Sequence, residues 1–242
     1  MIQKISGVVL HSLKYSDDSI IVDIFTEPYG RLSYVVRVGR TKKRAAVNAI
    51  FMPLSLVEFE ADYKPTRSLY RLRDPKQLYV FSSLPYDTYK SSIALFLSEF
   101  LYRALRQEGE NLPLYTYLYS SIQWLDMCER NFANFHLVFL MRLSRFLGFF
   151  PNLEDYRPGY SFDLVNACFV PPVYGRSGQL LSPEESSQLR QLMRMNFDTM
   201  HLFAMTRAQR MRCLEVIIQY YRIHIPDFPE MKSLAVLKEL FD

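Results

Sequence analysis

The chain has 242 residues, 49% of them apolar, which is enough to bury a substantial core in one large domain or two small ones. No stretch approaches the roughly 20 consecutive apolar residues that span a bilayer, and three isolated cysteines exclude a disulfide framework, so we expect a cytoplasmic protein with no membrane partner. The net charge of +4 is uneven, because residues 1–80 hold 13 Lys and Arg against 8 Asp and Glu, whereas the rest is nearly balanced. This asymmetry favours nucleic acid or another anionic surface as partner over an ordinary solvated basic surface.

The first 80 residues alternate with the period of β-strands. The sequence EPYG at 27–30 is typical of a tight turn, because Pro presets φ and Gly accepts a positive φ. Five short strands with few helical signals suit a small closed or partly open barrel, and we expect an OB-type barrel over residues 1–82. The predicted strands are 6–14, 19–27, 31–39, 53–63 and 68–78.

From about residue 86 the apolar period changes to 3.6, which indicates helices. The segment 131–150 is apolar nearly all round and is interpreted as the central helix of a bundle. Two capping boxes, SPEE at 182–185 and TRAQ at 206–209, predict helix starts. We therefore expect an α+β protein of two domains, in which an all-α domain covers 83–242 and carries an irregular Pro- and Gly-rich excursion at 151–181.

A basic segment follows the third predicted strand. The run RVGRTKKRAA at 37–46 contains no carboxylate, and ordering such a loop without an anionic partner is costly. Arg forks onto phosphate oxygens and Lys adds a point charge, so we interpret the segment as a DNA-backbone site rather than a solvated loop or a nuclear-type address run. Arg71 and Arg73 alternate on a predicted strand and extend the site. The candidate DNA-binding residues are Arg31, Arg37, Arg40, Lys42, Lys43, Arg44, Arg71 and Arg73.

Aromatic residues of the barrel and arginines of the helical half supply two further candidate sites. Tyrosines near the basic residues either stack on unpaired bases or cover the barrel; they are Tyr29, Tyr34, Tyr63 and Tyr70. In the helical half, two pairs of arginines have their members three residues apart. Each pair either lies over the core or forms a binding site for an acidic peptide that ends in an aromatic residue. These candidate partner-binding residues are Arg142, Arg145, Arg207 and Arg210.

Enzyme signatures are missing from the sequence. It has no GxxxxGK[ST], GxGxxG or GxSxG motif, and its histidines and cysteines lack metal-ligand spacing. We therefore expect no catalytic residue, no cofactor and no metal. An RNA-binding OB protein and an enzyme with an unrecognised site stay open as alternatives.

The order of the segments SGVVLHSLKYSDDSIIVDIFTEPYGRLSYVVRVGRTKKR, PLSLVEFE, LYRLRDPKQL and MKSLAVLKELF resembles that of the RecO family of bacterial recombination mediators. The resemblance implies an N-terminal OB fold, a helical C-terminal domain, and binding and annealing of single- and double-stranded DNA. It further implies binding of the acidic C-terminal tail of single-strand binding protein and, with RecR, loading of RecA on coated strands.

By the same resemblance, the family's basic segment maps onto five residues of this chain: Arg37, Arg40, Lys42, Lys43 and Arg44. Many relatives carry a four-cysteine zinc element roughly where residues 150–172 lie here. This stretch keeps only Cys168, so zinc is not expected.

Overall fold

A computed structural model describes residues 2–38, 42–172 and 179–240, with the backbone alone at 42–44, 238 and 240. The strands are β1 (Ile2–Lys14), β2 (Ser19–Thr26), β3 (Gly30–Arg37), β4 (Leu56–Asp62), β5 (Tyr70–Gln77), β6 (Ser161–Asp163) and β7 (Cys168–Val170). The helices are α1 (Lys42–Ile50), α2 (Thr88–Ala104), α3 (Leu112–Met127), α4 (Phe135–Phe146), α5 (Pro183–Arg194), α6 (Arg207–His224) and α7 (Ser233–Leu240). None of the described helices is both long and apolar enough to cross a bilayer.

Strands β1 to β5 form a closed barrel in the order β1-β2-β3-β5-β4, with β4 pairing back onto β1. All neighbouring pairs are antiparallel except β3 and β5. This five-stranded Greek-key closure confirms the predicted OB-type barrel. Alternate side chains fill its interior, among them Ile5, Val22, Tyr34, Phe59 and Leu72.

The turn between β2 and β3 depends on Gly30. Its φ of +67° lies in the left-handed region, as the EPYG sequence predicts. A Cβ at this position would lie 2.1 Å from the backbone oxygen of Gly109, and the N–H of Arg31 donates to the carbonyl of Glu108 at 3.1 Å. The turn is therefore packed directly against the segment that follows α2.

Two compact units divide the described chain. The first holds the residues up to 127 together with 231–240, and thus contains the barrel, α1 to α3 and α7. Helices α2 and α3 contact β1, and α7 lies along α2. The carboxylate of Glu99 accepts from the backbone N–H groups of Lys232 at 3.1 Å and Ser233 at 2.8 Å, which binds the start of α7 to α2.

The second unit, 128–230, is built around α4, where nine of twelve residues are buried. Helices α5 and α6 pack against it. Both predicted capping boxes are formed, with Ser182 accepting from the N–H of Glu185 and Thr206 from that of Gln209. The central helix and its neighbours therefore follow the sequence pattern.

The predicted irregular excursion contains one short hairpin that the sequence analysis missed, since β6 and β7 have only three residues each. Phe162 and Phe169 pair across it with ring centroids 5.0 Å apart. The ring of Tyr156 meets Phe169 edge-on at 5.0 Å, and the guanidinium of Arg190 lies 4.2 Å from the centroid of Tyr156. Residues 173–178 of the excursion lie outside the described part.

Candidate nucleic-acid interface

The basic face of the barrel is centred on β5. Arg71 and Arg73 are exposed, whereas Tyr70 and Leu72 between them are 3% and 5% exposed and point into the core. Among the described residues neither arginine has a carboxylate within 4.0 Å, although Glu60 stands opposite Arg73 in the β4–β5 register. Two guanidinium groups thus point to solvent from one strand face, as the alternation predicts.

Strand pairing brings a third arginine to this face. Val35 pairs with Arg71 in the parallel β3–β5 ladder, so Arg37 and Arg73 follow two residues later on the same side of their strands. The side chain of Arg37 is 80% exposed, and its Nε lies 3.6 Å from a carboxylate oxygen of Asp18. Hydrogen bonds from Ser16 and Ser19 hold the pKa of Asp18 below its usual value. A water-exposed pair at this distance leaves most of the positive charge of Arg37 available to an anion.

The basic segment after β3 leads into α1, whereas the sequence analysis predicted a loop. Helix α1 begins at Lys42, and Val47 and Ile50 pack partly buried against the barrel core next to the buried Phe51. The spacing of these three apolar residues, at i, i+3 and i+4, is the signal that indicates the helix. Arg40 and the side chains of Lys42, Lys43 and Arg44 lie outside the described residues, so their predicted DNA contact stays a prediction.

Arg31 is largely covered by protein groups rather than exposed on the basic face. Its side chain is 12% exposed, donates to the carbonyl of Tyr102 at 2.8 Å and lies 4.2 Å from the centroid of that ring. It also contacts Asp23 at 3.4 Å. Burial alone raises the pKa of Asp23, but the contacts with His11, Ser33 and Arg31 outweigh it and lower the pKa. The charge of Arg31 is thus engaged by protein groups.

The four candidate tyrosines lie at one end of the barrel and differ in exposure. Tyr34 and Tyr70 are core residues, only 1% and 3% exposed. Tyr29 and Tyr63 are half-buried and stack on each other with ring centroids 3.9 Å apart. The structure therefore puts two of the four rings inside the barrel and pairs the other two face to face.

The arginine pair on α4 contacts neighbouring protein groups. Arg142 donates from its Nε and from one Nη to the carbonyl of Met195, each at 3.4 Å. Arg145 is exposed and its guanidinium lies 4.1 Å from the centroid of Phe150. Arg145 follows the pattern of arginines that cover apolar surface while the head group stays near water, whereas the head group of Arg142 is bonded to the protein.

The arginine pair on α6 is split between surface and interior. Arg207 is exposed, whereas Arg210 is half-buried and donates to the carbonyl of Met205 at 2.7 Å. Burial lowers the pKa of Arg210. Burial also lowers the pKa of His136 on α4 to about 3, with a smaller contribution from the positive charge of Arg210, so this histidine is neutral at pH 7.

The cysteines do not lie together as a four-cysteine zinc element would require. Cys128, Cys168 and Cys213 are free thiols in different parts of the second unit. Across the residues that the structure describes, no three His, Cys, Asp or Glu side chains gather as metal ligands. The hairpin that contains Cys168 is instead held by its aromatic contacts.

Comparison with known proteins gives a consistent result. Residues 1–81 match the family model "Recombination protein O N terminal", and residues 85–234 match "Recombination protein O C terminal". The chain is similar to proteins named DNA repair protein RecO from Phocaeicola vulgatus (60% identity over 241 residues) and Bacteroides fragilis (57% over 242), each covered completely by the alignment. The protein of the same name from Porphyromonas gingivalis is 35% identical over 243 residues, with 98% of both chains covered.

Proposed function

Since the chain belongs to the recombination protein O family of DNA repair proteins, we propose that it acts as a non-enzymatic recombination mediator that binds single- and double-stranded DNA. The observation that carries the proposal is the exposed basic face formed by Arg37, Arg71 and Arg73, beside the basic segment that leads into α1. Phosphate contacts suit this arrangement because the guanidinium groups are solvent-facing and little engaged by carboxylates. Its place of action is the cytoplasm.

The mechanism needs no nucleotide or metal cofactor. Each phosphate that a Lys or Arg neutralises releases a condensed counterion, which makes binding favourable, independent of sequence and sensitive to salt. Two complementary strands whose phosphates are partly neutralised repel each other less. Base pairing then supplies the free energy of annealing.

The helical unit is proposed to bind protein partners. With RecR, the protein helps to load RecA onto strands coated by single-strand binding protein, whose acidic C-terminal tail it binds. The cations for that tail are Arg142, Arg145, Arg207 and Arg210; the exposed Arg145 and Arg207 support this assignment. An acidic peptide gains most from arginines that already lie on apolar surface, because part of their desolvation is complete before binding.

The DNA proposal is tested by binding of a labelled single-stranded oligonucleotide across a salt series. We expect Arg71→Ala/Arg73→Ala to reduce the slope of log K against log salt by about 0.7 for each phosphate that is no longer neutralised, and annealing to slow in the same samples. Lys42→Ala/Lys43→Ala/Arg44→Ala tests the basic segment in the same way.

The matched control is Arg194→Ala/Arg222→Ala, which removes two exposed arginines from the second unit and should leave the slope unchanged. Equal slopes for the native chain and both test variants would refute the proposed DNA face. For the protein partner, a labelled acidic peptide with a C-terminal aromatic residue should bind more weakly to Arg145→Ala/Arg207→Ala, and unchanged binding would contradict the assignment of these arginines.

A further inference from the structure

The outer face of the barrel carries a row of apolar side chains beside the basic face. Leu13 pairs with Ile21, Ile21 with Val35, and Val35 with Arg71, so these four residues stand side by side across β1, β2, β3 and β5. Directly paired residues point to the same side of a sheet. We name Leu13, Ile21 and Val35 the apolar row.

The apolar row faces outward. The alternate positions next to it, Ile20, Val22, Tyr34 and Val36, are buried in the barrel core, so the row must point to the opposite side. Leu13 is 41% exposed, and Ile21 and Val35 are half-buried. A small barrel does not need these side chains for its interior.

Helix α2 contacts the outer face of the barrel at the row of paired residues next to the apolar row. His11 pairs with Asp23 and Asp23 with Ser33 in that row. The ring of Tyr102 on α2 stacks on His11 with centroids 4.5 Å apart, and the guanidinium of Arg31 lies 4.2 Å from the same ring centroid. Among the described residues, these contacts of Tyr102 lie one row away from Leu13, Ile21 and Val35.

Positive charge borders the apolar row at the β3 and β5 end. Arg71 continues the row directly, and Arg37 and Arg73 stand one row above it on β3 and β5. On the β1 side, the exposed Tyr15 follows Leu13 after two residues. The arrangement is a strip about 10 Å wide, from the spacing of three strands, with apolar side chains at the β1 end and guanidinium groups at the β3 and β5 end.

We propose that the apolar row is a platform for the unpaired bases of single-stranded DNA, whose phosphates are held by Arg37, Arg71 and Arg73. The inference rests on the proposed DNA-binding function and adds a preference for unpaired strands. Every base has an apolar face, so such contacts are independent of sequence. About 10 Å accommodates two or three splayed bases.

The chemistry favours a single strand over a duplex. A duplex presents phosphates and groove edges to a flat sheet face, and its base faces are stacked inside. The apolar row therefore adds affinity for unpaired strands only, whereas the arginines add affinity for both forms. As bases pair during annealing, they lose their contacts with the apolar row. The affinity for the paired product is therefore lower, and the product is released.

The test compares two variants in binding to an oligothymidylate and to a duplex of equal length. Leu13→Thr/Ile21→Thr/Val35→Thr leaves a β-branched residue, which strands favour, at all three positions, so the barrel is expected to fold. We expect it to lose about tenfold in affinity for the single strand with an unchanged salt slope and no loss for the duplex. Arg71→Ala/Arg73→Ala is expected to weaken both and to reduce both slopes.

The control Ile2→Thr/Val80→Thr removes two exposed apolar side chains from other parts of the first unit and should bind like the native chain. Native affinity of the threonine variant, or equal losses for single strand and duplex, would overturn the platform. If the arginine variant alone is weakened, the proposed DNA face stands without the platform; if neither variant differs from the native chain, the DNA face fails as well.

A second variant tests the platform by adding an aromatic ring to it. Leu13→Trp places an indole at the most exposed position of the apolar row, where stacking on a base quenches its fluorescence. In a Trp124→Phe background this indole is the single tryptophan of the chain. Quenching by oligothymidylate but not by duplex is expected, and no quenching by the single strand at saturating concentration would contradict the proposal.

Discussion

Replacing Asp126 by Asn should destabilise the first unit through a carboxylate that lies at the end of α3. Asp126 is 2% exposed and accepts from the backbone N–H groups of Ser82 at 2.9 Å, Ser83 at 2.9 Å and Leu84 at 2.7 Å. The hydroxyl groups of Ser82 and Tyr79 donate to it as well. One side chain thus binds the segment that connects the barrel to α2.

The magnitude follows from the pKa of Asp126. Burial alone raises this pKa, but the backbone donors outweigh it and bring the pKa to about 2, against an ordinary value of 3.8. At about 1.4 kcal/mol per pKa unit, the ionised carboxylate contributes about 2 kcal/mol to the free energy of unfolding at pH 7. Because the folded-state pKa is depressed, this contribution is complete above pH 3.8 and is lost as the pH falls towards 2.

Urea unfolding followed by tryptophan fluorescence measures this effect. Trp124, the single tryptophan of the chain, lies on α3 two residues before Asp126 and reports on the first unit. We expect Asp126→Asn to lose about 2 kcal/mol at pH 7 and the difference from the native chain to shrink below pH 4. Asp17→Asn, at a carboxylate that is 91% exposed, is the control and should be neutral. An equal midpoint at pH 7, or a difference that persists undiminished near pH 2, would refute the role of the charge.

Further substitutions test other parts of the fold, each by urea unfolding. Gly30→Ala should lower the free energy of unfolding by several kcal/mol or prevent folding, because the new Cβ would lie 2.1 Å from the carbonyl oxygen of Gly109 and a φ of +67° is strained for alanine. A free energy of unfolding within about 1 kcal/mol of the native value would contradict this close approach. Asp23→Asn should lower the free energy of unfolding by about 3 kcal/mol, because Arg31 then keeps a largely buried charge without its counter-ion. A urea midpoint equal to that of the native chain would show that water solvates this arginine. Thr206→Ala should cost about 1 kcal/mol through loss of the α6 cap, and Thr206→Ser should restore it; equal effects of both would argue against the capping hydrogen bond.

Parts of the candidate site were predictable because they depend on local alternation. The exposed positions of Arg71 and Arg73 follow from the strand period, as do the buried positions of Tyr70 and Leu72. Arg31 shares that period, yet its burial depends on Tyr102 of α2, about seventy residues later in the chain. Charge patterns cannot reveal such a partner.

The sequence by itself determined the elements whose signals are local: the five barrel strands, the turn at Gly30, the central helix α4 and the capped starts of α5 and α6. Backbone geometry, capping and the apolar period act over a few residues, so they can be read directly. Only the tertiary structure decided which strands pair, in which register, and how far α2 covers the barrel. The strand pairing and its register bring Leu13, Ile21, Val35 and Arg71 into one row. They depend on hydrogen-bond ladders and packing between residues far apart in the chain, so a residue's sequence neighbours do not determine them.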